Sequence, residues 1–289
     1  MFLAGGTGVL GRRLVPLLAR EGVRVLARPT PRAAAIRRPG VEIVEGDLLD
    51  PGLSRLLPHL MEGCSAVLHT ATAIPLDQKA PGAWDVTRQL RVDGTRRLLD
   101  SALAAGVPRY AQQSIVMAYA HGGDRWLDES APLDTSPERA AVCEPVLRME
   151  AMVREVDGSR ISCSILRAGQ FVGPGSAQEE LMARLRSGNA TVPCDGRNFV
   201  SLVHPADMAG AVVLALHSSL GASTFNVCAP PLRYGDYVDR LAGLLGAAAP
   251  PRGPGSCPPS WRCRTSRAEE QLGWRARHSI WPGDATWSC

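Results

Sequence analysis

Glycines at positions 5, 8 and 11, in the run Ala4-Gly5-Gly6-Thr7-Gly8-Val9-Leu10-Gly11, are the residues whose type and spacing speak most directly of chemistry. A short apolar run, Phe2 to Ala4, precedes them, and Leu10, Leu14, Leu17 and Leu18 follow at helical spacing. In such a strand-turn-helix, Gly5 permits the tight turn, Gly8 lets a pyrophosphate approach the backbone, and Gly11 lets helix and strand pack closely. The unpaired N–H groups and positive dipole of the helix start attract the anion. A dinucleotide site is therefore expected here, with Thr7, Val9 and Leu10 completing the turn.

Which dinucleotide is read from the end of the second strand. An acid there would accept bonds from both ribose hydroxyls of NAD(H), but the run ends Leu26-Ala27-Arg28. Arg28, helped by Arg32 or Arg12, suits the forked, charge-assisted bonds of a 2′-phosphate, which favours NADP(H) over NAD(H). The plainer alternative is that Arg28 is one more solvated arginine in a chain whose only lysine is Lys79. Lys79 itself reads as a surface residue.

These residues need a scaffold, and the remaining sequence supplies one. Apolar runs at Val23 to Leu26, Val41 to Val44, Ala66 to Leu68, Tyr110 to Ile115 and Cys163 to Leu166 alternate with helical patterns. That alternation predicts an α/β fold, a Rossmann-like doubly wound parallel sheet, with a small C-terminal substrate lobe. The expected core is residues 1–168, with 199–228 returning to it, and 169–198 and 229–289 form the lobe. Further on, helices are expected at Glu179 to Arg186 and Asp207 to Leu216, and a strand at Phe199 to Val203. An exposed connection is expected at Ala247 to Pro259, and a capping box at Ser266 and Glu269 before a helix stopping at Gly273.

Composition narrows the partners. With 289 residues and a net charge of +4, and no basic run interleaved with aromatics, nucleic acid is not the expected partner. No run approaches the roughly 20 apolar residues that span a bilayer, and the N-terminus lacks a secretory pattern. A cytoplasmic protein with a small-molecule substrate is expected, a homodimer being one assembly open to it. The eight cysteines form no C-x-x-C pair, so they read as reduced packing residues, and no metal is expected.

Taken together, these motifs resemble the extended, atypical branch of the short-chain dehydrogenase/reductase family, its NAD-dependent epimerase/dehydratase-like members. The resemblance rests on the glycine turn, Gly46-Asp47-Leu48, His69-Thr70-Ala71, Val92-Asp93-Gly94-Thr95, Ser114 closing the fifth strand, Gly169 to Gly175, and Val203-His204-Pro205-Ala206-Asp207. It implies that Asp47 and Leu48 contact adenine, that Thr70, Ala71 and Thr72 line the ribose and nicotinamide side, and that Phe171 and Val172 cover the nicotinamide end. Asp93 stands where the family often has Asn, and is given a scaffold role. His204 reads as a satisfied core histidine, and Asp207 as a helix cap or a functional group.

One family feature is missing. Family members that do ordinary redox chemistry carry a Tyr and, four residues later, a Lys that lowers its pKa. Aligned on Met149-Glu150, those positions fall near Val142 and Val146, or with a shift of one at Cys143 and Leu147, and with Lys79 the only lysine no Tyr-x-x-x-Lys exists anywhere. Three readings stay open: an oxidoreductase acting on a hydroxyl or carbonyl, with Ser114 or Tyr119 as the proton donor; an epimerase, dehydratase or cyclase without net cofactor turnover; and a non-catalytic NADP(H) sensor. Ile74, Trp84, Trp126 and Phe171 are candidates for an apolar pocket, and Asp124, Asp128 and Glu129 for a polar loop near substrate.

Overall fold

The computed structural model describes every residue of the 289 except Leu76, Lys79, Gly255 and Cys289, so the expectation for Lys79 lies outside the described residues. The first strands are β1 (Phe2–Ala4), β2 (Val23–Ala27), β3 (Val41–Glu45), β4 (Val67–His69) and β5 (Arg109–Ile115). With Ser162–Ala168 and Ser223–Val227 they make a seven-stranded parallel sheet in the order Ser223–Val227, Ser162–Ala168, β5, β4, β1, β2, β3. Leu3 of β1 lies opposite Val25 on one side and Leu68 on the other. Both faces of β1 are buried, which is why it is wholly apolar. Because β1 is flanked by β2 and β4, the chain order reverses there, and the crevice at the carboxyl ends of β1 and β4 is where this fold takes ligands.

Two compact units share the chain, and the division differs from the expected one. The first comprises Met1–Ser114, Thr135–Leu166 and Ala209–Thr224; the second comprises Ile115–Asp134, Arg167–Met208 and Phe225–Cys289. Residues 115–134, expected in the core, join the second unit because Trp126–Leu127 pairs with Arg262–Cys263 and Tyr119 bonds to Asn226. Residues 199–208 join it as well. The expected strand Phe199 to Val203 is two short strands broken at Ser201, whose hydroxyl donates to Trp261 O and accepts from Cys263 N.

In the first unit, α1 (Gly11–Leu18) buries Gly11, Leu14, Val15 and Leu18. Leu17, placed by spacing on the apolar face, is exposed, and Val15 fills the stripe instead. The long helix Ala140–Arg154 buries Cys143, Val146, Met149, Glu150 and Val153. Leu90–Gly94 forms a π-helical turn leading into the helix Thr95–Ala104. Thr87, Arg91, Thr95 and Leu98 all point inward there.

The second unit is built on a separate apolar cluster around Val172, Val192, Val200, Leu202, Val238 and Leu241. The expected exposed connection 247–259 is instead tied down. Arg252–Gly253 pairs with Val192–Pro193, and Cys257 is disulfide-bonded to Cys194, which corrects the reading of all cysteines as reduced. Sequence spacing hid the pair because its partners are 63 residues apart. Cys64, Cys143, Cys163, Cys228 and Cys263 are free and buried. The last helix, Ser266–Leu272, stops at left-handed Gly273 as expected, but its N-cap is Thr265, whose hydroxyl reaches the Glu269 carboxylate.

Candidate active site

The glycine turn has the geometry its spacing implies. At Gly5 (φ +97°) a Cβ would lie 2.5 Å from Ala71 N at the end of β4, and at Gly11 it would lie 2.2 Å from Gly5 O. No other residue fits either position. A Cβ on Gly8 would meet only Gly5 O, at 3.3 Å, so the space above it is otherwise open. Gly8 N donates to Gly5 O and Arg12 N to Gly8 O, while the N–H groups of Thr7, Val9, Leu10 and Gly11 donate to no backbone or side-chain group among the described residues. Four uncommitted donors at a helix start, beside a surface without side chains, fit a pyrophosphate.

Around this turn, Arg28 follows β2 with its side chain 73% exposed, and its guanidinium lies 3.9 Å from the Asp47 carboxylate. Asp47 Oδ1 also accepts from Leu49 N, so one carboxylate oxygen shapes the loop and the other faces Arg28. Leu48 turns its side chain into the core against Gly94, and its carbonyl accepts from Arg97, which leaves only its N–H for a ligand. Thr70 donates its hydroxyl to Ala4 O and is buried, whereas Thr72 is exposed. Phe171 lies in the second unit, on the short strand Gln170–Phe171 paired with Leu202–Val203.

Both hydroxyls considered as proton donors are committed elsewhere. Ser114 is buried and donates to Glu150 Oε1 at 2.6 Å, and Glu150 in turn accepts from Arg154. Tyr119 is fully buried in the second unit. Its OH donates to Asn226 Oδ1 at 2.8 Å and accepts from Arg167 Nη1 at 2.6 Å, with that guanidinium 4.7 Å over the ring. Burial raises its pKa well above the usual phenol range, against the lowering influence of Arg167. Both hydroxyls named as candidate donors are thus held in hydrogen bonds to other side chains of the protein.

The polar loop is likewise structural. Asp124 pairs with Arg233, Asp128 accepts from Ser130, and Glu129 receives the Asn226 N–H. His204 bonds Ala206 N and Trp287 O, and Asp207 accepts from the Arg277 and His278 amides and the His278 ring, so both act as ties within the second unit. Trp126 stacks beneath Arg262. Cys194, Asp195 and Cys257 are the one group of three potential metal ligands among the described residues, and the two sulfurs are bonded to each other.

On the Ala140–Arg154 helix, Val142, near which the missing Tyr was expected, is half-buried, and Val146, near which the Lys was expected, is buried. Next to them stands a group the sequence reading overlooked. Arg91 is 4% exposed, and its Nη1 donates to Val142 O at 3.2 Å. His69, at the end of β4, donates Nε2–H to Leu90 O and accepts Ala71 N–H at Nδ1. Burial, aided by the Arg91 charge and opposed by the bond to Leu90 O, lowers its pKa to about 4, so the ring is neutral. A signal was readable: an arginine in phase with Thr87, Thr95 and Leu98 puts a charge on the buried stripe.

Comparison with known proteins agrees with this geometry. The profile of the NAD dependent epimerase/dehydratase family matches residues 1–228. A Streptomyces protein named 3-diazoavenalumate denitrifying reductase is 30% identical, with 97% of each chain covered. Among solved structures, MoeE5 in complex with UDP-glucuronic acid and NAD superposes with a TM-score of 0.80 at 22% identity, covering 99% of this chain and 96% of its own. DesIV, a dTDP-glucose 4,6-dehydratase from Streptomyces venezuelae, does so at 0.80 and 24%, covering 96% and 92%. No helix among the described residues is long and apolar enough to cross a membrane. With its glycine turn, its strand order and a family match running from the first residue through the last sheet strand, the chain belongs to the NAD dependent epimerase/dehydratase family and is a nicotinamide-cofactor enzyme.

Proposed function

We propose that the protein is an NADP(H)-dependent reductase whose substrate needs no proton from the protein, and that the substrate is a small diazo compound reacting as its diazonium cation. The observation that carries this reading is the helix Ala140–Arg154, where Val142 and Val146 stand in place of a proton-donating pair. A carbonyl that accepts hydride becomes an alkoxide and requires a proton from a placed acid. A diazonium carbon that accepts hydride does not: the new C–H bond takes the hydride pair, the C–N bond breaks, and its electrons leave with N2. When bound, a reduced nicotinamide supplies that hydride. The name of the Streptomyces relative, a denitrifying reductase of a diazo compound, supports the same choice.

The chain's own residues divide the remaining work. Thr7, Gly8, Val9, Leu10 and Gly11 hold the pyrophosphate, Asp47 and the Leu48 N–H hold adenine, and Thr70, Ala71 and Thr72 frame the ribose and nicotinamide. The exposed Arg28, at a strand end without an acid, selects the 2′-phosphate and thus NADP(H) over NAD(H). A cytosolic location and a homodimeric assembly belong to the same proposal.

The test is an assay of purified protein with an aryl diazonium salt and either NADPH or NADH, following nicotinamide absorbance and N2 release. Spontaneous reduction is subtracted with Gly8→Asp, whose carboxylate would stand where the pyrophosphate binds. One N2 per NADPH oxidised, faster with NADPH than NADH, is the expected result. Ketone reduction with no diazonium reduction above the Gly8→Asp background would sink the reading.

A further inference from the structure

Arg91 is a buried cation with little to hold it. Among the described residues its guanidinium makes one hydrogen bond, to the neutral Val142 carbonyl, and no ion pair. Arg24 and Arg154 of this unit, by contrast, pair with the carboxylates of Glu42 and Glu150. His69 beside it is neutral, and the neighbour that favours the cation is the buried Cys143 thiol rather than a carboxylate. Burying an uncompensated charge is costly, and a hydrophobic residue of similar volume would pack this position at lower cost.

Two further observations point to a ligand. First, the free edge of the guanidinium is not sealed. Arg262 Nε is the one buried side-chain nitrogen or oxygen without a partner among the described residues, so the uncommitted nitrogens of Arg91 keep contact with solvent although the residue is 96% covered (4% exposed). Second, the residue sits on a π-helical turn, Leu90–Gly94, a widened and locally strained form that recurs at functional sites. His69 pins that turn to the carboxyl end of β4 through Leu90 O, placing Arg91 at the sheet edge where this fold takes ligands.

We propose that Arg91 is the anion-recognising residue of the substrate site, and that the substrate carries a carboxylate which the open edge of the guanidinium receives. The planar fork of donors matches a carboxylate in two parallel charge-assisted bonds. Held to the backbone at Val142, it offers one fixed orientation, so Arg91 acts in specificity and leaves the hydride step untouched. This inference rests on the reading of the first unit as a reductase site, but it does not depend on the diazo group.

It is tested by binding rather than turnover, so its failure is separable from that of the diazo assay. Calorimetry of the NADP+-loaded protein with benzoate and with benzamide, aromatic probes of the same shape, reads the charge preference. Benzoate should bind at least tenfold more tightly than benzamide. Arg91→Met should remove the preference while NADP+ affinity holds, and Arg91→Lys should keep part of it. Equal binding of the two probes by the unsubstituted protein overturns the proposal, even if Arg91→Met does not fold; so does a folded Arg91→Met that still prefers benzoate.

Discussion

Tyr119 shows how a residue can have the right type and the wrong environment. Its phenol lies between an acceptor, Asn226 Oδ1, and a donor, Arg167, with no exposed surface. Tyr119→Phe would leave the Arg167 guanidinium and the Asn226 amide short of a buried partner, at a cost of about 1–3 kcal/mol. Denaturant unfolding should register that loss while turnover stays within about twofold of the parent. A hundredfold fall in turnover at unchanged stability would reinstate the hydroxyl as a donor. The sequence placed Ser114 and Tyr119 correctly near the end of the fifth strand, but their fates are decided by Glu150 and Asn226, which lie 36 and 107 residues away. The glycines were legible because their requirement is local: what a Cβ would strike is set by the turn itself. Arg91 was legible only as a phase anomaly, a charge on a buried stripe, and its significance needed the neighbours.

At the scale of elements, β4 and the π-helical turn are joined by one imidazole. His69 donates to Leu90 O, and its other nitrogen receives the Ala71 N–H, so adding a proton would set two donors against each other beside Arg91. The native ring, with its pKa lowered to about 4, resists protonation, while in the unfolded chain it protonates near the ordinary value of 6.5. Between these values the unfolded state binds more protons. The contribution to stability is therefore complete above pH 6.5 and is lost as pH falls toward 4, by about 3 kcal/mol in all. Chemical unfolding at pH 7 and pH 4.5 should show a steeper loss for the parent than for His69→Gln, and equal slopes would remove this role. Strand positions were readable to within a residue or two, since apolar runs that are buried on both faces leave little ambiguity. The π-helical turn was not readable, because its residues share the spacing of the helix that follows.

At the scale of the molecule, the sequence suggested a core and a lobe, whereas the chain's contacts divide it into two units with other boundaries. Segment 115–134 was assigned to the core by its place after β5, whereas its pairing with Arg262–Cys263 is set by residues more than a hundred positions later. The second unit also carries the Cys194–Cys257 bond, which closes a 63-residue separation. Constraining an unfolded loop of that size is worth typically 2–4 kcal/mol. Thermal unfolding should accordingly shift to lower temperature in dithiothreitol or in Cys194→Ser. An unmoved transition would mean that the bond contributes nothing.

The way the units interleave also governs how the protein can be made. The chain passes between them five times, at 114/115, 134/135, 166/167, 208/209 and 224/225. On the ribosome, β1 to β5 emerge early, but Ser162–Ala168 lacks its outer neighbour until Ser223–Val227 has been synthesised. At about 5–20 residues per second, several seconds of translation therefore pass with an apolar sheet edge unpaired. Truncation before residue 223 leaves that edge open permanently. Shortened gene products and exchanged cassettes of this enzyme are thus expected to aggregate rather than to yield either unit alone.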